Sequence, residues 1–269
     1  MELELKKECL DTYELGEPQT LTQEETAETI VPDYCPDIAR IISAEGVVCL
    51  HGGTEQDGVT GTVRVTVLYT PENESGVRAL EFAMPFSAQG EGLAGCAHVV
   101  VETEIELLES RMLNPRKIFT RCKLVTHLAG CRKVCLTISS DAETDPALLV
   151  EKRCCGQTVS LLRQVAEKDL TFSETMSLSL GREGAAELLH CRANGIVTET
   201  KAIGNKLIFK GVFLVSALYR TIGGQLASAS AELPFSQIME TDSTEENTQV
   251  SMRLRITGTD IQIDGSDDE

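Results

Sequence analysis

The sequence predicts a mainly β chain of two tandem, homologous modules, each a β-sandwich- or barrel-like unit with one short helix. Three observations carry that prediction. Apolar and polar residues alternate with a period of two over long stretches, the mark of strands with one buried face. The same landmarks recur in the same order about 150 residues apart. Turns rich in glycine and proline punctuate the alternation.

Each module opens on its predicted helix. Ile38, Ile41 and Ile42 share one face at helical spacing, and Leu188 and Leu189 are their counterparts. Pro36 is tolerated in a first helical turn, and Gly46 and Gly195 would end the two helices. A strand follows at Val47–Leu50 or Ile196–Thr200. It leads into a glycine turn, His51-Gly52-Gly53 in one copy and Gly204-Asn205 in the other.

The returning strand carries the clearest repeat. Gly61–Tyr69 presents Val63, Val65, Val67 and Tyr69 where Gly211–Tyr219 presents Phe213, Val215, Ala217 and Tyr219. A loop with Pro71 and Gly76, or with Gly223-Gly224, comes next. The strand after it ends on Met84-Pro85-Phe86-Ser87 or Leu233-Pro234-Phe235-Ser236, and proline there suits an end or an edge. Val99, Val101 and Ile105, with Val250, Met252 and Ile256 opposite them, close the shared part.

Only the first copy continues, through Lys117–Leu128 and Cys131–Ile138. A first module with an acidic N-terminal segment is therefore expected at residues 1–145, and a second, shortened at its C-terminal end, at residues 146–269. Val159–Val165, near the boundary, reads equally as strand or helical turn. An edge left open by two missing strands is a pairing hazard or a docking site, and a homo-oligomer is one expected use of it.

Composition narrows the function. The formal net charge of −18 repels nucleic acid and anionic membranes, so neither is an expected partner. No apolar run is long enough for a membrane span, and the N-terminus lacks a signal-peptide core. A cytoplasmic location with reduced thiols is expected. Most of the ten cysteines then serve as small buried apolar groups. None of them has metal-finger spacing, so neither a metal nor a cofactor is expected. Residues 111–135 hold seven Lys and Arg and no acid, against nine acids in residues 1–30. They are read as a solvated strand face, with pairing to an acidic end as the other possibility.

No constellation of acid, base and nucleophile is visible. His51, His98, His127 and His190 are scattered and do not correspond between the copies. His190 would follow the second helix, where a cation is mildly favourable. Gly90-Glu91-Gly92-Leu93-Ala94-Gly95 has the letters of a dinucleotide loop but precedes a strand, so it is read as a flexible loop. Asp33 and Asp37 could serve as an acid–base pair or a cation site; helix capping is the better reading. The chain is expected not to be an enzyme.

The run Ile30-Val31-Pro32-Asp33-Tyr34-Cys35-Pro36-Asp37-Ile38-Ala39-Arg40-Ile41-Ile42 resembles the motif of SPOCS-domain proteins. Met1–Leu5, the Gly61–Tyr69 strand, Asn205–Gly211 and the Leu-Pro-Phe-Ser element are similar to the same family. The resemblance implies a non-catalytic interaction or scaffold protein of endospore coat assembly, acting in the mother cell at the forespore surface. It implies protein partners among the spore-coat morphogenetic proteins, and no LysM segment is expected within this sequence. The family motif contributes Pro32, Asp33, Pro36, Asp37, Ile38 and Arg40 as structural rather than catalytic residues. Two alternatives stay open: a cell-wall glycan-binding module unrelated to sporulation, against which the scarcity of aromatic residues counts, and an enzyme of unknown type.

Overall fold

The computed structural model describes residues 4–51, 58–143, 151, 153, 156, 158–174, 184–242 and 248–262. The expected boundary at residues 145 and 146, the Gly52-Gly53 turn and the Cys154-Cys155 pair lie outside them. The described chain forms the strands β1 (Glu4–Leu15), β2 (Gln19–Ile30), β3 (Ile38–His51), β4 (Gly58–Pro71), β5 (Arg78–Gln89), β6 (His98–Asn114), β7 (Lys117–Glu143), β8 (Ala185–Ile203), β9 (Lys206–Thr221) and β10 (Leu226–Glu240). The fold is mainly β, as predicted.

The predicted helices are absent among the described residues. Ile38–Ile42 and Leu188–Leu189 lie in β3 and β8 instead. Bulges explain the misleading period. β3 shifts register between Ile38/Arg40 and again between Ile41/Ser43. Each shift inserts one residue against β4, so inward positions recur every third residue. Ile38, Ile41 and Ala44 all reach the core at that spacing. A helix would show the same spacing on one face. β8 repeats the device between Ala185/Glu187 and Leu188/His190. Gly46 and Gly195 therefore sit inside strands, His190 does not follow a helix, and Pro36 precedes a strand.

Three sheets result. β3-β4-β5 and β8-β9-β10 are antiparallel and alike in order. In the third sheet, the long β7 takes β1, β2 and β6 as antiparallel partners. Cys131 pairs with both Leu15 and His98, and Thr120 with both Ala27 and Ser110. β1 and β2 thus run end to end along one edge of β7, with β6 along the other. The two stretches foreseen at Lys117–Leu128 and Cys131–Ile138 are one continuous strand.

The β7 sheet packs face to face on β3-β4-β5, with β6 beside β3 and β2 beside β5. Val63, Val65, Val67 and Tyr69 of β4 meet Ile118, Cys122, Leu124 and Leu128 of β7 in one buried core. Two buried hydroxyls there are satisfied across the sheet: Thr120 bonds Ser110 at 2.8 Å and Thr126 bonds Thr103 at 3.1 Å. Beyond Cys131 the β1–β7 pair leaves the sandwich as a two-stranded ribbon with Leu136 and Ile138 exposed.

The two three-stranded sheets share a paired glycine and phenylalanine. Gly61 pairs with Phe86 across β4 and β5, and Gly211 with Phe235 across β9 and β10. A methyl group on either glycine would lie 2.5 Å from the facing ring. The phenyl ring thus lies over a residue without a side chain, and the arrangement recurs in both sheets.

Candidate functional site

The run from Ile30 to Ile42 holds the crossover from β2 to β3, and one arginine organises it. Residues 32–35 turn tightly, with the Cys35 N–H donating to the Pro32 carbonyl at 2.9 Å. Arg116, in the turn between β6 and β7, reaches into this loop. One guanidinium nitrogen donates to the Cys35 carbonyl at 2.7 Å and to Asp37 Oδ1 at 3.0 Å. Its neighbour donates to the Val31 carbonyl at 2.9 Å and to Asp33 Oδ1 at 3.1 Å. The planar fork suits four acceptors arranged in this way.

The Arg116 and Pro115 backbones add two bonds: Val31 N–H donates to the Arg116 carbonyl and Ile38 N–H to the Pro115 carbonyl. Asp33 and Asp37 therefore hold Arg116 and cap no helix. Pro32 and Pro36 shape the loop, Ile38 anchors it in the core, and the Arg40 side chain is exposed. Tyr69 closes the loop from below, donating to the Pro36 carbonyl at 3.3 Å. Burial pushes the Tyr69 phenol up to about 12, helped by the adjacent Cys35. The organising role of Arg116 was not foreseen; in the sequence it is one of the seven Lys and Arg of residues 111–135.

A second cluster joins the modules. Glu45 of β3 accepts from Arg192 and lies 3.1 Å from His190 Nε2, both on β8. Burial alone raises the Glu45 carboxyl, but Arg192 and His190 outweigh it and hold it below its ordinary value. Arg78 of β5 approaches Glu187 at 3.8 Å, Arg64 donates to the Thr259 carbonyl at 3.2 Å, and Arg253 pairs with Glu102 of β6. The basic strand of the first module is paired within the molecule: Arg121 with Glu24 at 2.6 Å and Lys123 with Glu106 at 2.8 Å. The solvated-face reading thus gives way to pairing with acids that include the N-terminal segment.

A third feature is the inward face of β8-β9-β10. Residues 158–174 and 248–262 flank it in extended form without strand pairing. Leu254 stands against Gly195 of β8 much as Ile105 stands against Gly46 of β3. Lys168 donates to the Ile238 carbonyl of β10 at 2.7 Å. A space of about 3800 Å³ opens onto these two segments and the sheet, and first-module residues such as Tyr13, Val99 and Val101 border it too.

The scattered histidines stay apart in their bonding: His51 with Thr62, His127 with Thr20, and His98 near the ring of Tyr13. Cys49, Cys122 and Cys131 are buried, and burial raises all three thiols. Cys9 and Cys135 are diagonal neighbours across the exposed ribbon, with Cα atoms 5.8 Å apart, within the span of a disulfide.

Residues 185–264 match the family model described as SipL, SPOCS domain. The matched stretch runs from β8 through β10 and along the extended segment that follows. No curated protein and no solved structure matches the chain.

Proposed function

We propose, from the premise that this is a SPOCS-domain protein, that the chain is a non-catalytic interaction module of the spore envelope. It would act in the mother cell, at the forespore surface, by holding coat morphogenetic proteins together. The family match over residues 185–264 carries this reading. The form of the molecule supports it. Among the described residues, several charged groups make structural contacts: Asp33 and Asp37 with Arg116, Glu45 with the second module, Glu24 with β7. What is left for recognition is sheet edge and apolar face, the surfaces by which β proteins take up other chains.

The experiment is localisation of a tagged full-length chain in a sporulating host. A ring or cap around the developing forespore, appearing with the coat, is the expected result. Even fluorescence through vegetative cells, unchanged by sporulation, would overturn the reading.

A further inference from the structure

We propose that the second module is completed by a β-strand from a partner protein, apolar on one face and acidic on the other, seated between residues 158–174 and 248–262. The proposal deepens the interaction role given above and names the chemistry of its partner.

The first module shows what belongs in that place. There β7 covers the middle of β4, flanked by β2 and β6. Val63 and Val65 are 0% and 1% exposed, and Met84 is 2% exposed. Their counterparts Phe213, Val215 and Leu233 are only half-buried. The flanks are nevertheless in position. Residues 164–168 lie along β10 as β2 lies beside β5, and Leu254 meets β8 as Ile105 meets β3. The ring of Phe172 reaches Phe213, 5.1 Å between centroids, but among the described residues no strand pairs between the flanks as β7 does. The slot opens into a space, shared with the first module, that is several times larger than the roughly 300–1,000 Å³ of a small-molecule pocket. It is lined on the sheet side by alternate apolar residues of one strand face, which is the surface an inserted strand requires.

Charge identifies the occupant. In the first module, β7 presents Lys123 to Glu106 and His127 towards Glu104. Aligning Leu254 with Ile105 puts Arg253 and Arg255 where Glu104 and Glu106 stand. The sign is reversed, so a strand of β7's own kind would set cation against cation. A strand whose outer face carries Glu or Asp would be matched instead. The two arginines already show that preference, with Arg253 on Glu102 and Arg255 on Glu167. Arg253 is 71% exposed at its side chain and has donors to spare.

The test uses the full chain and two fluorescent twelve-residue peptides. One alternates Ile or Val with Glu; the other is Lys117–Leu128. Binding is followed by anisotropy. The acidic peptide should bind, and the R253E/R255E variant should bind it at least about tenfold more weakly while gaining affinity for the basic peptide. Amide exchange should slow in residues 250–256 and in β8 when the acidic peptide is bound. This second readout stands even if the variant folds poorly. Absence of binding by both peptides, or binding indifferent to the charge reversal with no protection of residues 250–256, overturns the proposal. So does self-association of the unmodified chain that the reversal abolishes, since the occupant would then be a second copy. Correct forespore localisation with no strand binding would sink this inference alone; strand binding without forespore localisation would sink the sporulation role alone.

Discussion

Arg116 holds four acceptors, and its loss should be felt beyond the loop. With Arg116→Ala, Asp33 and Asp37 lose their cation and two carbonyls lose donors. The side chain is a third exposed, which screens part of the effect. A destabilisation of about 1–3 kcal/mol is expected in chemical denaturation, and Arg116→Lys should recover little because an ammonium lacks the fork. The paired glycines give a second expectation. A methyl at Gly211 would meet the Ile196 carbonyl at 2.2 Å, against 2.9 Å from the Cys49 carbonyl at Gly61. Backbone does not yield as a side-chain tip does, so Gly211→Ala should lower the melting temperature of its module more than Gly61→Ala lowers that of the first. Tyr69 supplies a third. Its phenol is raised to about 12 from an ordinary 10, so the folded protein keeps a proton that the unfolded chain releases. The stabilisation is whole below pH 10 and is lost as pH rises through about 12. Absorbance titration at alkaline pH should show one late tyrosine, absent from Tyr69→Phe.

At the scale of elements, the sequence was most legible where strands are regular. The alternation of Ile118, Thr120, Cys122 and Leu124 is the observed burial of β7, and Gly61–Tyr69 is the observed inner face of β4. It failed where strands are bulged. One inserted residue at each of two places turned a period of two into a period of three, and β3 and β8 read as helices. Propensity offered a warning, since Ile and Val favour strands, but three isoleucines at helical spacing outweighed it. Arg116 was illegible for another reason. Its role depends on a contact across 79 to 85 residues of chain, and local pattern does not register such separations. The β1–β7 ribbon carries its own prediction. A bond between Cys9 and Cys135 would close 126 residues of chain, and forming it by oxidation should raise stability by about 2–4 kcal/mol. Urea unfolding of the oxidised chain, with and without a reductant, measures this; an unchanged midpoint would mean the ribbon is held by its hydrogen bonds alone.

For the whole molecule, charged pairs join the two modules. Glu45 between His190 and Arg192 is the centre of that contact. Its carboxyl is held below the ordinary value, so its contribution is present near neutrality and is lost as pH falls through the lowered folded value. Small-angle scattering should show the chain lengthening on acidification, and again at high salt, where exposed pairs are screened. Glu45→Gln should remove most of the acid response without unfolding either module.

The ladder between β1 and β7 has a consequence for synthesis. Leu5 pairs with Ala142, and Ile30 with Lys117, so the first module's central strand β7 is made last and pairs with the strands made first. β3, β4 and β5 can form a meander as they emerge, but their apolar face must wait, uncovered, until β7 is made. Contacts of such high sequence separation fold slowly, and the waiting face is open to aggregation. A nascent chain stalled before residue 117 should bind holdase chaperones, and one stalled well beyond residue 143 should release them.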